Sequence, residues 1–240
     1  MKEPQVFITE DGSPTLYSEV TGEHYHSTHG AINESMHIFI KEGLEYYLNS
    51  LGPGCFFCSP APIRIFEIGF GTGLNALLTL LKAEELKQRI YYYSVEKYPI
   101  SLKCANQLDY HLDGKDPYYV REQFEALHRA EWDEPVALTP YFTVHKILGD
   151  IEKIKFPDKV DVFYMDAFSP EAQGNLWEQE IFDQMAKHAN TGAVLTTYCS
   201  KGIVRRRLET AGFRVERIPG PTGKRHITRA TFVGQCQAND

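Results

Sequence analysis

Between a short apolar strand and an apolar helix the chain runs Phe66-Glu67-Ile68-Gly69-Phe70-Gly71-Thr72-Gly73-Leu74-Asn75. Three glycines so close together cost conformational entropy, so they belong where the backbone turns sharply or approaches something closely. A strand, a glycine turn and a helix in this order is the setting in which a nucleotide loop is built. The spacing is G-x-G-x-G, not the G-x-G-x-x-G that wraps a dinucleotide pyrophosphate. No Gly-Lys-Ser/Thr follows, which argues against a triphosphate P-loop.

The pattern around this turn predicts an α/β fold. Strands are expected over 63–68, 90–95, 142–148, 160–165 and 193–198, with helices over 74–86, 100–108, 177–188 and 204–211. Alternation of this kind implies a parallel sheet covered on both faces. Two last strands, 213–218 and 227–233, have no helix between them and read as an antiparallel pair around Pro219-Gly220-Pro221-Thr222-Gly223. The expected sheet therefore has seven strands, mostly parallel, with a terminal antiparallel hairpin. Residues 109–140 read as a more polar stretch with an amphipathic piece at 124–128. Upstream, 6–9 and 15–20 flank Asp11-Gly12-Ser13-Pro14 as a hairpin, and 34–48 has helical spacing that Gly52-Pro53-Gly54 stops. The expected division is an N-terminal extension, 1–60, packed on a core domain, 61–240.

A chain of 240 residues, 42% apolar and 24% charged, can build a full core without disulfide or metal staples. No apolar run approaches the roughly 20 residues of a membrane span, and residues 1–10 lack the apolar core of a signal peptide. Five cysteines, an odd number, fit a reducing cytoplasm better than a disulfide framework. The net charge is −7, but Lys201 to Arg229 carries a local +7. A basic C-terminal face on an acidic body can meet a polyanion, although a solvated helix and hairpin would show the same charges.

Four carboxylates sit at predicted strand ends, where ligands of open α/β sheets bind. Glu67 precedes the glycine turn. Glu96 ends the second strand and can accept both hydroxyls of a ribose. Asp150, in Leu148-Gly149-Asp150, is placed to contact a base or to cap a helix over 151–155. Asp166 opens Asp166-Ala167-Phe168-Ser169-Pro170 after the fourth strand. There a carboxylate can accept hydrogen bonds from an amine, and Phe168 can stack on a planar base.

Taken in order, these motifs resemble those of class I S-adenosylmethionine-dependent methyltransferases. More closely, they are similar to the MnmD family and the N-terminal half of fused MnmC enzymes, which modify the wobble uridine of tRNA. The segments 67–75, 161–170, Leu176-Trp177, the Val204-Arg205-Arg206-Arg207-Leu208 run and 27–39 carry the resemblance, which covers most of the chain. No flavin-dependent oxidase half is in the sequence, so the resemblance implies the stand-alone methyltransferase. It implies N-methylation of the aminomethyl group of 5-aminomethyl-2-thiouridine, with S-adenosyl-L-methionine as cofactor and no metal. It further implies a separate enzyme that supplies the acceptor. Glu67, Gly69, Gly71, Thr72, Gly73, Asn75, Glu96, Asp150 and Asp166 would hold the cofactor, and Asp166 would orient the amine and take its proton. Phe168, Ser169 and Pro170 would contact the acceptor. Arg205, Arg206, Arg207, Lys224 and Arg225 would contact tRNA phosphates. Glu34 or Ser35 would close the pocket from the extension.

Other signals carry less. Cys55-Phe56-Phe57-Cys58 lacks the two further ligands of a zinc site. His24, His26 and His29 read as surface or substrate contacts rather than a metal cluster, and Tyr91–Tyr93 as strand packing. Ser169 and Ser200 lack a nucleophile elbow. Rival readings are a class I enzyme acting on another amine, a nicotinamide or flavin oxidoreductase, and a non-catalytic scaffold. The glycine spacing and terminal hairpin oppose the second, and the intact acidic set opposes the third.

Overall fold

The computed structural model describes residues 3–52 and 61–234; Cys55, Cys58 and Cys236 lie outside them. All six residues of Val160–Met165 are buried, so this strand must be covered on both faces. It is flanked in parallel by Ile63–Ile68 and Ala189–Thr197. The strands are β1 (Gln5–Ile8), β2 (Pro14–Ser18), β3 (Glu23–His24), β4 (Ile63–Ile68), β5 (Ile90–Glu96), β6 (Pro135–Thr139), β7 (Phe142–Leu148), β8 (Val160–Met165), β9 (Ala189–Thr197), β10 (Phe213–Pro219) and β11 (His226–Phe232). The core sheet has eight strands in the order β10-β11-β9-β8-β4-β5-β7-β6. Its middle is parallel, and β10–β11, β11–β9 and β6–β7 are antiparallel.

The eighth strand, β6, is the departure from the sequence reading. It lies at the sheet edge, opens with Pro135 and has no buried residue, so it shows little of the alternation that marks a half-buried strand. The polar stretch before it holds α5 (Pro117–Arg129), whose start is set by Asp116 accepting the Tyr118 amide. The helix expected over 100–108 shrinks to α4 (Leu102–Ala105), and the one expected over 151–155 is only a turn. Gly192 is internal to a strand. It sits inside β9 at φ +84°, where the register against β8 shifts, as a bulge with a glycine does.

On one face lie α3 (Leu74–Leu86) and a continuous helix, in which α1 (Ala31–Ser35) passes through a π-helical stretch (Met36–Glu45) into α2 (Tyr46–Ser50). Three consecutive residues, Ile38, Phe39 and Ile40, are buried, more than an α-helical stripe supplies. The wider turn also brings Gly43 onto the sheet, where a Cβ would stand 3.0 Å from Thr196 Oγ1 and 3.2 Å from the Tyr164 ring. On the other face pack α6 (Gln179–His188) and α7 (Gly202–Thr210).

A separate three-stranded sheet, β1-β2-β3, precedes the helix. The expected hairpin is there, and its turn caps α1: Ser13 Oγ accepts the Ala31 and Ile32 amides, and Asp11 accepts that of Asn33. Leu16 of β2 is fully buried in the core on the α3 face.

Candidate active site

The glycine turn lies where β4 and β8 end side by side. Gly69, Gly71 and Gly73 have φ of +93°, +52° and +77°, which side-chain-bearing residues rarely adopt. A Cβ on Gly69 would stand 2.9 Å from the Asp166 carbonyl oxygen, so the two strand ends approach this closely only with glycine there. Below the turn, His128 Nε2 donates to the Thr72 carbonyl (3.0 Å), and Lys146 Nζ donates to the His128 carbonyl (3.0 Å). The Lys146 ammonium also lies over the Trp132 and Phe70 rings, 4.6 and 5.4 Å from their centroids. Burial lowers His128 to about 4 and Lys146 to about 8.

Asn75, in the first turn of α3, joins two carboxyls. Its Nδ2 donates to Glu67 Oε1 (3.0 Å) and to Asp166 Oδ2 (2.7 Å). Ser94 Oγ donates to the other Glu67 oxygen at 2.6 Å. Burial pushes Glu67 up to about 8, against the pull of the Ser94 and Asn75 bonds. Burial and the neighbouring Glu67 and Glu34 hold Asp166 well above the usual carboxylate range, with Asn75 and Lys224 pulling the other way. The folded Glu67 thus holds its proton more tightly than the unfolded chain does. Its contribution to stability is full below about pH 4.5 and is lost as pH rises through about 8. Glu67→Gln removes that loss. Thermal melts at pH 5 and pH 8 are expected to show the variant gaining several degrees on the parent over this interval; a pH-independent difference would contradict the assignment.

Glu96 at the end of β5 accepts the Gly71 amide (3.1 Å) and the Tyr98 amide (2.8 Å). It therefore ties the glycine turn to β5 and retains lone pairs for further donors. Asp150 accepts from Lys97 Nζ (2.9 Å) and from the Glu152 amide (3.3 Å), and the Lys97 bond holds its carboxyl below the usual range. Asp150 here caps a turn rather than a helix, and it lines the same cavity as Glu96.

That cavity, of about 500 Å³, runs from the glycine turn to Phe168, Ser169, Tyr198 and Lys224. The Phe168 ring meets Tyr25 edge-on at 4.9 Å. Ser169 is held by Glu23, whose carboxylate accepts both its amide (3.0 Å) and its hydroxyl. Tyr198 donates to the Ala167 carbonyl (2.9 Å). The N-terminal sheet roofs the cavity: Glu3 accepts from Ser101, Tyr25 lies against Gly71, and His26 Nε2 is 3.5 Å from Thr72 Oγ1. Burial lowers His26 to about 4.

Of the expected site residues, Gly69, Gly71, Thr72, Asn75, Glu96, Asp150 and Asp166 line the cavity, Gly73 completes the glycine turn, and Phe168 and Ser169 join the far end; Glu67 does not line it, being buried with both oxygens engaged by Asn75 and Ser94. Pro170 is not among the lining residues. Glu34 lines the cavity, whereas Ser35 is fully buried in the protein and does not. Two of the expected phosphate contacts need correction. Arg207 donates to the Trp177 carbonyl (2.6 Å) and pairs with Glu178, so it braces α7. Lys224 points into the cavity, 2.9 Å from Glu34. Arg206 and Arg225 are exposed, and Arg205 is half-buried. The histidines separate: His24 packs on Phe7 and Tyr17, His26 on Thr15 and Thr72, and His29 on Glu10. Among the described residues no cluster of metal-ligating side chains is arranged to hold an ion, and no helix is long and apolar enough to cross a membrane.

Sequence reasoning missed Glu23, Tyr25 and Tyr198. Tyr198 directly follows β9 and was accessible to the same strand-end argument that found Asp166. Glu23 and Tyr25 come from or follow a two-residue strand with no local signature.

The family model of S-adenosyl-L-methionine-dependent methyltransferases matches residues 121–232. The solved structure of MNMC2 from Aquifex aeolicus is similar over 98% of this chain and 72% of its own, with a TM-score of 0.76 and 26% identity. The matched segment and the fold around it are those of an S-adenosyl-L-methionine-dependent methyltransferase. Two curated relatives, both called tRNA 5-methylaminomethyl-2-thiouridine biosynthesis bifunctional protein MnmC, extend this. The one from Cupriavidus necator is 33% identical over 96% of this methyltransferase and 35% of its own length. The one from Cupriavidus metallidurans is 31% identical over 94% and 33%. The methyltransferase spans about a third of the length of these relatives. Its cavity suits the cofactor on its own terms. The volume is in the range of small-molecule sites, and Gly69 and Gly71 of the glycine turn line it. Glu96, at the end of β5, lines the cavity as a hydrogen-bond acceptor.

Proposed function

We propose that this methyltransferase acts in the cytoplasm on tRNA, transferring a methyl group to the primary amine of a wobble 5-aminomethyl-2-thiouridine to give the 5-methylaminomethyl form. The observation that carries the reading is one cavity with two chemically different ends. The glycine turn, Asn75, Glu96 and Asp150 form a nucleoside-and-amino-acid end, and Asp166, Phe168 and Ser169 form an end suited to a planar base bearing an amine. Similarity to the MnmC relatives supports the choice of acceptor. In this reading residues 1–60 are an extension that closes the cavity of a catalytic domain spanning 61–240, and a separate enzyme supplies the aminomethyl acceptor.

S-Adenosyl-L-methionine, when bound, supplies a methyl group already activated on a sulfonium, so no metal is required to make a leaving group. The chain's contribution is positioning and proton removal. Holding amine and methyl close and in line can supply much of the barrier reduction. The amine attacks only when neutral, and Asp166 is the carboxyl placed to accept its proton, after which the proton passes to water. Phe168 offers a ring to stack the uracil. Arg206 and Arg225 supply phosphate contacts, which position without reading sequence.

The deciding experiment is transfer from labelled S-adenosyl-L-methionine into bulk tRNA from a strain lacking this protein, with nucleosides identified by mass spectrometry. Label in 5-methylaminomethyl-2-thiouridine is the expected result. Absence of label with cofactor binding intact would move the acceptor to small amines or proteins. The exposed arginines give a second expectation. In Arg206→Ala/Arg225→Ala, tRNA affinity should fall, and the slope of log affinity against log salt should flatten by about one to two. An unchanged slope would move the tRNA contact to another face.

A further inference from the structure

We propose that Lys224 is a positioning residue for proton removal: its ammonium, fixed at the acceptor end of the cavity by Glu34 and the Tyr198 ring, sets the proton affinity of Asp166 so that the carboxyl can exchange a proton with the acceptor amine. This rests on the reading of Asp166 given above, and it replaces the phosphate-contact role that the basic composition of the C-terminal segment had suggested for this lysine.

The geometry is built from parts of the chain far apart in sequence. Lys224 lies in the turn between β10 and β11. That turn is closed on itself by the Lys224 amide donating to the Pro221 carbonyl (2.9 Å) and the Gly220 amide donating to the Arg225 carbonyl (3.3 Å). It is also pressed against the N-terminal extension. A Cβ on Gly223, at φ +84°, would stand 2.0 Å from the His29 ring, and His37 Nε2 reaches the Pro219 carbonyl at 3.0 Å. A turn so confined has little freedom to swing its lysine out to solvent. Inside, the ammonium is 2.9 Å from Glu34 and 4.7 Å from the centroid of the Tyr198 ring. Glu34 is itself fixed by accepting the Ser27 amide at 2.5 Å.

The groups facing Asp166 come from every element around it: Glu67 from β4, Glu34 from α1, Tyr92 from β5, Tyr198 after β9, and Lys224 from the turn, with Asn75 donating from α3. Two are carboxyls and two are phenols, and Lys224 is the cation. Without it, Asp166 would be left beside Glu67 and Glu34 with no cation at this end of the cavity, and it would hold its proton too tightly to serve as an acceptor. A general base works best when its affinity for the proton lies near that of the group it deprotonates and near the working pH. The proton leaves the ammonium nitrogen of the acceptor for an Asp166 oxygen, the nitrogen keeps the electron pair, and water afterwards removes the proton from Asp166.

The test compares Lys224→Met, Lys224→Arg and Glu34→Gln by two readouts. One is the acid limb of kcat/KM for methyl transfer to tRNA. The other is the titration of the Asp166 carboxyl carbon by NMR in protein labelled at aspartate, assigned with Asp166→Asn, which needs no acceptor at all. Lys224→Met is expected to raise both by about one pH unit, a roughly tenfold loss of kcat/KM below the limb. Lys224→Arg should keep the parent values, and Glu34→Gln should move both downward. The opposite signs separate an electrostatic role from structural damage, which would impair both variants alike. If Lys224→Met leaves the titration of Asp166 in place and instead flattens the salt dependence of tRNA binding, Lys224 is a phosphate contact and the proposal falls. It falls equally if the two variants shift the titration in the same direction. The predicted NMR shifts without any methylation of tRNA would uphold the role of Lys224 and overturn the tRNA acceptor.

Discussion

Asp166→Asn is expected to lower the rate of methyl transfer by about 10²–10⁴-fold, the usual worth of a positioned proton acceptor. Cofactor affinity should change far less. An amide of the same shape can still accept from Asn75 Nδ2, which now donates to Asp166 at 2.7 Å, and the other cofactor-side groups stay in place. What is lost is the capacity to take a proton from an ammonium. Single-turnover transfer of labelled methyl measures the first quantity and calorimetric titration with S-adenosyl-L-methionine the second. Full turnover in the variant would remove Asp166 from the chemistry. A collapse of affinity with unchanged single-turnover rate would make it a cofactor ligand only.

Gly69→Ala is expected to be the most damaging single methyl in the site. At φ +93° the backbone is strained for alanine, and the new Cβ would stand 2.9 Å from the Asp166 carbonyl, a backbone atom that cannot rotate away. Strain and overpacking together come to about 2–4 kcal/mol, which lowers Tm by about 5–15 °C in a chain of this size. Relief requires β4 and β8 to part at their ends, and that would move Asp166 relative to the glycine turn. Loss of stability should therefore be accompanied by loss of cofactor binding. Thermal melts and titration on the same sample check this; normal values for both would show that the approach of the two strands is not as tight as described.

The parts of this molecule that were legible in the sequence are those whose cause is local. Glycine spacing after a strand, a carboxylate at a strand end and Asp166-Ala167-Phe168 after a fully buried strand all act within a few residues. The alternation of strand and helix was read for the same reason: burial on both faces writes itself into consecutive side chains. What escaped is set by distant partners. The edge strand β6 has no burial pattern because it has one neighbour and no buried face. The π-helical stretch at Met36–Glu45 is imposed by the sheet beneath Gly43, not by propensity. Lys224 looked like one more cation in a basic segment, and only the fold reveals that Glu34, near the other end of the chain, draws it inward. Arg207 looked like its neighbours Arg205 and Arg206, yet the Trp177 carbonyl and Glu178 occupy it. A charge run counts cations but does not say which of them are already engaged.

The N-terminal sheet shares no backbone ladder with the core sheet. It is anchored at one side, where Leu16 enters the core and the hairpin turn clasps the first turn of α1. At the other it meets the cavity through Glu3 with Ser101, Glu23 with Ser169, and His26 with Thr72. Each of those contacts can be exchanged for water at a net cost of about 1–3 kcal/mol, whereas parting two core strands would sacrifice a whole row of paired amides at once. The molecule thus contains two kinds of joint. One is a seam that yields contact by contact, and the other is a weld that holds until the chain unfolds. Separating the N-terminal sheet from the cavity rim therefore costs less than separating any two neighbours of the core sheet.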